Sequence, residues 1–301
     1  MIKTVRIPLV GSLINRNIDP NNFIGRDQTF INCFPEVVNN SVTGKAKAYL
    51  NKRIGSVSSA ALTGVSTGSY ASLVWSGVSS VISPTLIAFK NIGYTSTSIW
   101  NTGSVQIGAN IDNTADCTAL TETSINNVAT LVGTFVDSGT ALLESWYFTY
   151  GTTSWIQITS TNYPANLSPA ESIVGAPVHL NGRMYIMTKN GKVWNSEQNT
   201  VSTWIASAFN TAQSYPDGGC GLARYKDLIV AFGRNSIEFF QDVGLTPSPI
   251  ISVGNTIKRL GSNLQVVNNY RQIATVANSV YFMGVNADSG MKGIYRIVGF
   301  E

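Results

Sequence analysis

The sequence has little charge. Charged residues make up 12% of its 301 residues, about half of the roughly 25% usual for soluble domains, while hydrophobic residues make up 44%. The apolar content excludes a disordered chain. Ser, Thr, Asn and Gly supply most of the remaining polarity, which is typical of strands and turns in all-β proteins that stay in permanent assemblies. A net charge of +4 is too small for a clamp that neutralises many phosphates in one stripe, so tight DNA binding is not expected.

Cysteine and long hydrophobic runs are also scarce. The three cysteines, Cys33, Cys117 and Cys220, are odd in number and have no CxxC spacing, which indicates neither a disulfide framework nor a zinc site. Folding in a reducing cytoplasm fits this usage best. The first 16 residues, MIKTVRIPLVGSLINR, have no apolar core, and no later stretch reaches membrane-spanning length. We therefore expect neither a signal peptide nor a membrane anchor.

The sequence offers no catalytic constellation. Its single histidine, His179, has no Ser or Cys nucleophile motif beside it, and a structural or channel-facing role is expected. The carboxylates are scattered and form no recognisable pair for glycoside cleavage. Residues 110–116, NIDNTAD, lack the Gly and distal Glu of an EF-hand calcium loop. The sequence thus predicts no enzyme, no cofactor and no metal site.

Short runs of β-branched and aromatic residues separated by Gly, Asn, Asp and Ser predict many short antiparallel strands. The clearest hairpin is RMYIMTKNGKVW, residues 183–194, in which Asn190-Gly191 is a strong type I′ turn signal. A second hairpin, DLIVAFGRNSIEFF, covers residues 227–240. Three related units are TLIAFKNIGYTSTSIW, WYFTYGTTSWIQI and VYFMGVNADSGMKGIYRI, at residues 85–100, 146–158 and 280–297.

Each of these five units ends in a strand that bears an aromatic residue. These residues are Trp100, Trp155, Trp194, Phe239 and Tyr295, and they follow one another at intervals of about 39 to 56 residues. Repeats of this length predict an all-β fold, a β-propeller of four-stranded antiparallel blades over about residues 65–298. A β-sandwich with similar hairpins is the alternative.

Each blade also needs an inner strand. The candidates are residues 71–75, 128–135, 175–180, 219–224 and 272–276. Gly175, Ala176, Gly219 and Gly221 are small enough to permit close backbone approach around a central channel. Residues 1–55 lack the hairpin pattern and form an extended N-terminal arm in this interpretation, whereas residues 56–301 form the blades.

Two stretches resemble a known family. Residues 215–244, YPDGGCGLARYKDLIVAFGRNSIEFFQDVG, are similar to a segment of the packaged-DNA stabilisation proteins, the tail hub or nozzle proteins of short-tailed bacteriophages. RIPLVGS and QTFINCFPE, at residues 6–12 and 28–36, resemble the opening of that family. The matching motif residues are Pro216, Asp217, Gly218, Gly221, Asp227, Gly233, Ile237, Glu238 and Phe239.

The resemblance implies a structural virion protein, made in the host cytoplasm and assembled as a homo-oligomeric, hexameric ring in the tail. Its implied partners are the portal and head-to-tail adaptor, tail spike, fibre or needle proteins, and double-stranded DNA held weakly and without sequence preference in the lumen. Such a ring retains the packaged genome and conducts it during ejection. Family members are usually longer, so the last blade is expected to be incomplete.

The N-terminal arm is the expected partner interface. Its candidate residues are Arg6, Pro8, Arg16, Arg26, Pro35 and Glu36. An extended arm can give a strand to a neighbour or grip an adjoining ring, or it can fold back and close its own propeller. A carbohydrate-binding or carbohydrate-cleaving β-propeller or sandwich of a tail appendage is the alternative function. The regular positions of the aromatic residues favour core packing over a sugar platform.

Overall fold

The computed structural model describes residues 33–39, 46–52, 69–74, 85–90, 96–101, 106–109, 111–212, 215, 217–253, 260–261, 273–276, 279–286 and 292–297. The chain divides into two compact units, Met1–Ala61 and Leu62–Glu301. The functional division between residues 55 and 56 stays a prediction.

The described part of the first unit is a β-hairpin. Strands β1 (Cys33–Asn39) and β2 (Ala46–Lys52) pair antiparallel, with Cys33 opposite Lys52 and Asn39 opposite Ala46. The sequence pattern did not predict this hairpin within residues 1–55. Residues 1–32 lie outside the described residues.

The second unit consists of consecutive antiparallel sheets. The first contains β3 (Ser69–Val74), β4 (Thr85–Lys90), β5 (Ser96–Asn101) and β6 (Ile111–Asp112). The second contains β7 (Thr114–Ile125), β8 (Val128–Asp137), β9 (Leu143–Thr149) and β10 (Ile156–Gln157). The third contains β11 (Ile173–Leu180), β12 (Arg183–Thr188), β13 (Lys192–Ser196) and β14 (Trp204–Thr211). The fourth contains β15 (Gly219–Tyr225), β16 (Leu228–Gly233), β17 (Ile237–Asp242) and β18 (Ile250–Ser252).

The fifth sheet differs from the other four. It contains β19 (Leu260–Gly261), β20 (Ile273–Val276), β21 (Ser279–Asn286) and β22 (Lys292–Ile297). Val285 pairs with Gly261 of β19 and with Lys292 of β22, so these two strands lie on opposite edges of β21. β19 and β20 therefore share the inner position, and among the described residues this blade is three positions wide.

The sheets have the arrangement of propeller blades. The inner strands of consecutive sheets contact one another, β3 with β7, β7 with β11, β11 with β15 and β15 with β20. Together with the four-stranded antiparallel sheets, this arrangement confirms the predicted β-propeller.

The hydrophobic core lies between consecutive blades. Leu131 packs in the core shared by the first two sheets, whereas its neighbour Val132 packs in the core shared by the second and third. Ile229 and Val230 divide in the same way between the two faces of the fourth sheet. Because alternate residues point to opposite faces and both faces are covered, central strands are apolar throughout rather than alternating.

Two strand predictions in the second blade were wrong. Residues 128–135, predicted as an inner strand, lie in β8, the second strand, and β7 is the inner one. Trp155, predicted to close a third strand, lies in the connection between β9 and β10. Its indole N–H donates to the Ile107 carbonyl at 2.8 Å, and its ring is buried against Phe135 and Phe148. Trp155 had the sequence pattern of the aromatic residues in third strands because it also fills a core between two blades, although it does so from a loop.

The Asn190-Gly191 turn also differs from its prediction. Residues 189–191 form a three-residue loop between β12 and β13, in which Gly191 alone has a positive φ, +84°, so the turn is not type I′. Asn190 is exposed as predicted, but Gly191 is buried. The type I′ geometry occurs instead at Asn181-Gly182, where φ is +50° and +77° between β11 and β12.

Candidate functional site

The family-motif stretch forms the fourth blade, and Asp217 fastens its central turn. Asp217 lies two residues before β15, and its carboxylate accepts a hydrogen bond from the backbone N–H of Asn235 at 2.5 Å. The hydroxyl of Ser236 donates to the same carboxylate at 3.1 and 3.2 Å. These residues belong to the turn between β16 and β17. The segment that enters the blade is therefore tied to the blade's own second hairpin.

The absence of a side chain at Gly233 leaves room for this contact. A Cβ atom at Gly233 would collide with both carboxylate oxygens of Asp217. Gly218 has φ +74° and lies so close to the Lys189 carbonyl that a Cβ would be 3.0 Å from its oxygen. The two motif glycines thus allow the loop to approach its neighbouring turns.

Three of the other motif residues are buried in the fourth blade. Ile237 and Phe239 are buried in the core between the fourth and fifth sheets. Glu238 is also buried, and it accepts a hydrogen bond from Ser252 of β18 at 2.6 Å. Asp227 is exposed in the turn after β15. Pro216 lies outside the described residues.

Glu171 is the equivalent of Asp217 in the third blade and was missed in the sequence. It lies two residues before β11, and its carboxylate accepts hydrogen bonds from Lys192 at 2.5 Å, Thr188 at 3.1 Å and Trp194 at 3.3 Å. Burial alone would raise the pKa of Glu171, but the bonds from Lys192 and Thr188 outweigh it and lower that pKa. The sequence signal that could have identified Glu171 is that an acidic residue precedes each of two inner strands, β11 and β15, by two positions.

Two open grooves accompany these carboxylates. One is lined by residues 167–172 together with Lys189 and Asn190. The other is lined by Tyr215, Asp217, Gly218, Arg234 and Asn235. Both lie at the end of the blades where the second strand turns into the third.

The inner strands approach closely, as the sequence predicted. A Cβ atom at Gly175 of β11 would be 2.7 Å from the Cα of Gly221 in β15. The hydroxyl of Thr121 in β7 donates to the Pro177 carbonyl of β11 at 2.6 Å. These contacts hold the inner strands of neighbouring blades together.

His179 lies on inner strand β11 and is half-buried. Burial, and then the positive charge of Arg224, lower its pKa. The Arg224 guanidinium also donates to the His179 carbonyl at 3.4 Å. This environment favours a neutral imidazole, in keeping with the structural or channel-facing role expected for this residue.

The candidate interface residues of the N-terminal arm are only partly described. Pro35 and Glu36 lie in β1, where they pair with Leu50 and Tyr49. Arg6, Pro8, Arg16 and Arg26 lie outside the described residues. The grouping of these six residues as a partner interface stays a prediction.

In the described ranges no group of three His, Cys, Asp or Glu side chains is placed to hold a metal ion. No helix in that part of the chain is long and apolar enough to cross a membrane.

A family model covers nearly all of the chain. The phage stabilisation family, described as bacteriophage P22 Gp10, β-propeller, matches residues 26–298. The chain belongs to this family. Membership identifies it as a structural protein of the phage virion with a role in stabilising packaged DNA. The match confirms the predicted family and includes residues 28–36 and 215–244, whereas residues 6–12 lie outside the matched range.

Comparisons with other proteins are less informative than the family match. No curated protein matches the chain. The computationally designed Ika8 protein is 14% identical, with 90% of this chain and 82% of that chain covered and a TM-score of 0.42. The AfRom2 CNH domain is 10% identical, with 87% and 70% covered and a TM-score of 0.43. At these TM-scores neither similarity carries an argument.

Proposed function

We propose that the chain forms the tail hub, or nozzle, of a short-tailed phage. In this proposal, six copies form a ring beneath the portal and its adaptor. The ring retains the packaged DNA, contacts the spike, fibre or needle proteins below it, and conducts the DNA during ejection. The observation that carries the proposal is the family match over residues 26–298, which spans nearly the whole propeller.

The low charge of the chain supports a conducting role. Each phosphate that a protein neutralises adds to affinity and to its dependence on salt, and a protein with 6–10 such contacts is held strongly at low salt. If many Lys or Arg side chains lined the lumen in every copy, the DNA would be held tightly and would not slide through the ring. With 12% charged residues and a net charge of +4, the chain is suited to weak contact without sequence preference.

Exposed apolar side chains support assembly with other chains. Met283 of β21 and Ile294 of β22 lie opposite each other and are 51% and 76% exposed. Val243, Leu245 and Ile251 are exposed around the connection between β17 and β18. Exposed apolar surface often marks a site of contact with another protein, and the interfaces of permanent assemblies are more hydrophobic than those of transient ones.

We also propose that the N-terminal segment takes part in assembly. The alternatives left open by its sequence are a grip on a neighbouring chain and a fold-back onto its own propeller. An extended segment can supply a strand in either case.

The carbohydrate alternative has less support. Tyr215 and Asp217 line one groove, which is the combination of aromatic ring and carboxylate that a sugar site would need. However, Asp217 already accepts hydrogen bonds from Asn235 and Ser236 and so fastens the turn. We therefore favour the structural role.

Native mass spectrometry and electron cryo-microscopy of the purified full chain, alone and with adaptor and portal, test the hub proposal. We expect a closed ring with a lumen wide enough for duplex DNA that docks on the adaptor. A chain that stays monomeric with the adaptor present, or that is located outside the axis of the virion tail, would contradict it.

A further inference from the structure

One face of the fifth sheet is exposed. Val280 and Phe282 of β21 are buried in the core shared with the fourth sheet. Because side chains alternate along a strand, Tyr281 and Met283 point to the other face. There Met283 is 51% exposed, and Ile294, which lies opposite it on β22, is 76% exposed. In the second, third and fourth sheets, by contrast, both faces are buried against neighbouring blades.

The exposed face of the fifth sheet also carries a cation. Arg296 lies opposite Tyr281, and its guanidinium is 5.6 Å from the centre of the Tyr281 ring. The guanidinium donates to the hydroxyl of Ser279 at 2.9 and 3.2 Å. Both partners are neutral, so these contacts leave the positive charge of Arg296 in place. We call Tyr281, Met283, Ile294 and Arg296 the open face.

The second blade has the opposite charge. Residues 91–182 contain six carboxylates, and all 20 Lys and Arg residues of the chain lie outside this range. Four of the six carboxylates belong to strands of the second blade, namely Asp116, Glu122, Asp137 and Glu144. By comparison, residues 251–300, which include the fifth sheet, contain five Lys or Arg residues and one acidic residue. Charge is thus segregated between the two blades.

Exposed apolar side chains of the second blade lie beside its carboxylates. Leu142 is 38% exposed and precedes Glu144 by two residues. Ile156 of the outer strand β10 is 47% exposed, and its neighbour Gln157 donates to Glu144 at 2.6 Å. Burial, and then the nearby charge of Asp137, raise the pKa of Glu144, so the two carboxylates are close together. We call Asp137, Leu142, Glu144 and Ile156 the acidic edge.

We propose that the open face of one copy packs against the acidic edge of a second copy, a contact that rests on the proposed ring. Each surface presents large apolar side chains, which supply the contact area of an interface. The charges beside them are of opposite sign, which is the arrangement that selects and orients partners. A symmetric contact of the open face with itself would instead bring two copies of Arg296 together.

A contact between two different surfaces is head-to-tail. Such a contact repeats from copy to copy and closes into a ring when the rotation permits, whereas a self-complementary surface gives a dimer. The acidic edge and the open face belong to the second and fifth blades, with the third and fourth blades between them. One copy can therefore use both surfaces at the same time.

The test is the oligomeric state of the full chain, alone and with the adaptor, measured by sedimentation velocity and native mass spectrometry over a series of salt concentrations. Ile294→Asp adds a carboxylate to the open face, where the acidic edge approaches. Ile294→Lys is the matched control, because it adds the opposite charge at the same position. Since Ile294 is 76% exposed, both variants should fold, and melting temperatures check this.

We expect Ile294→Asp to weaken association by about 30-fold or more, as substitution of an interface hot spot does. Ile294→Lys should weaken association less, because its charge is attracted by the acidic edge. Association of the unmodified chain should weaken as salt rises. Equal losses in the two variants, or normal association of Ile294→Asp, would overturn the proposal.

A mixing experiment tests the head-to-tail arrangement. Ile156→Asp alters the acidic edge, and each variant alone should stay monomeric because every contact then includes an altered surface. In an equimolar mixture, the open face of the Ile156→Asp copy can meet the acidic edge of the Ile294→Asp copy, and both of these surfaces are unmodified. We expect one-to-one dimers in the mixture. Monomers in the mixture, or self-association of Ile156→Asp alone, would overturn the proposal.

The same measurements separate this contact from the hub function. If the unmodified chain and Ile294→Asp both form rings on the adaptor, the hub function stands and this contact fails. If the mixture gives one-to-one dimers while the unmodified chain forms no ring on the adaptor, the contact stands and the hub function fails. An unmodified chain that does not associate with itself under either condition overturns the contact.

Discussion

Substitution of Gly175 by Ala tests the packing of the inner strands most directly. Gly175 has φ +76°, and a Cβ atom there would lie 2.7 Å from the Cα of Gly221 and 3.4 Å from the amide nitrogen of Leu222. These neighbours are backbone atoms of β15, which cannot move aside as a flexible side chain would. The substitution must therefore push the inner strands of two blades apart.

The expected magnitude has two parts. A left-handed backbone conformation costs a non-glycine residue about 1–2 kcal/mol. Overpacking of a filled interior adds typically about 1–3 kcal/mol. We expect Gly175→Ala to reduce the free energy of unfolding by about 2–5 kcal/mol in total.

Gly244→Ala is the matched control. Gly244 has φ +70°, close to that of Gly175, but a Cβ atom there would have no neighbour within 4 Å. Its expected loss is the backbone part alone, about 1–2 kcal/mol. Urea denaturation followed by tryptophan fluorescence and circular dichroism measures both losses. Equal losses in the two variants would falsify the close approach of β11 and β15.

Three further predictions concern the core, pH and the N-terminal segment. Trp194→Ala and Phe239→Ala should each reduce the free energy of unfolding by about 3–5 kcal/mol, because both side chains are buried between blades; unchanged thermal stability in either would contradict the blade alignment. Folding lowers the pKa of Glu171 below its ordinary 4.5 and that of Asp137 below its ordinary 3.8. The ionised carboxylates therefore stabilise the fold at pH values above these ordinary pKa values. The stabilisation is lost as the pH falls through the lowered pKa values of the folded protein. The melting temperature should fall below about pH 4.5, and less steeply in Glu171→Gln; identical pH profiles would refute this. Deletion of residues 1–20 should abolish ring assembly, measured by native mass spectrometry, without a change in melting temperature; normal assembly by a destabilised chain would support the fold-back alternative.

The hairpins were predictable because their signal is local. A turn such as residues 234–236 follows from polar residues between two apolar runs, and the structure has it between β16 and β17 as predicted. The position of a strand within its blade is not local. Residues 128–135 have the composition of any buried strand, and only pairing on both edges shows that β8 is second and β7 is inner.

The site was less predictable than the fold. The sequence singled out Asp217 through its family motif, but Glu171 has no motif around it and was considered only among scattered carboxylates. Its role depends on Lys192 and Trp194, which the hairpin of β12 and β13 brings back toward it. At Asn190-Gly191 the hairpin was predicted correctly and only the turn type was wrong, because the same dipeptide fits both a two-residue and a three-residue loop.

Hydrogen bonds that cross from blade to blade affect how the propeller unfolds. The Gly219 N–H is held by Lys189, and the Asn210 side chain donates to the Ile250 carbonyl of the next sheet at 2.8 Å. In a linear array of repeats, each repeat makes its own contribution to the free energy of unfolding, and the terminal repeats can unfold independently. Here, opening the third blade removes partners of the fourth at both its inner and outer strands. The blade is thus the unit of sequence repetition, while the unit of cooperative unfolding extends over neighbouring blades.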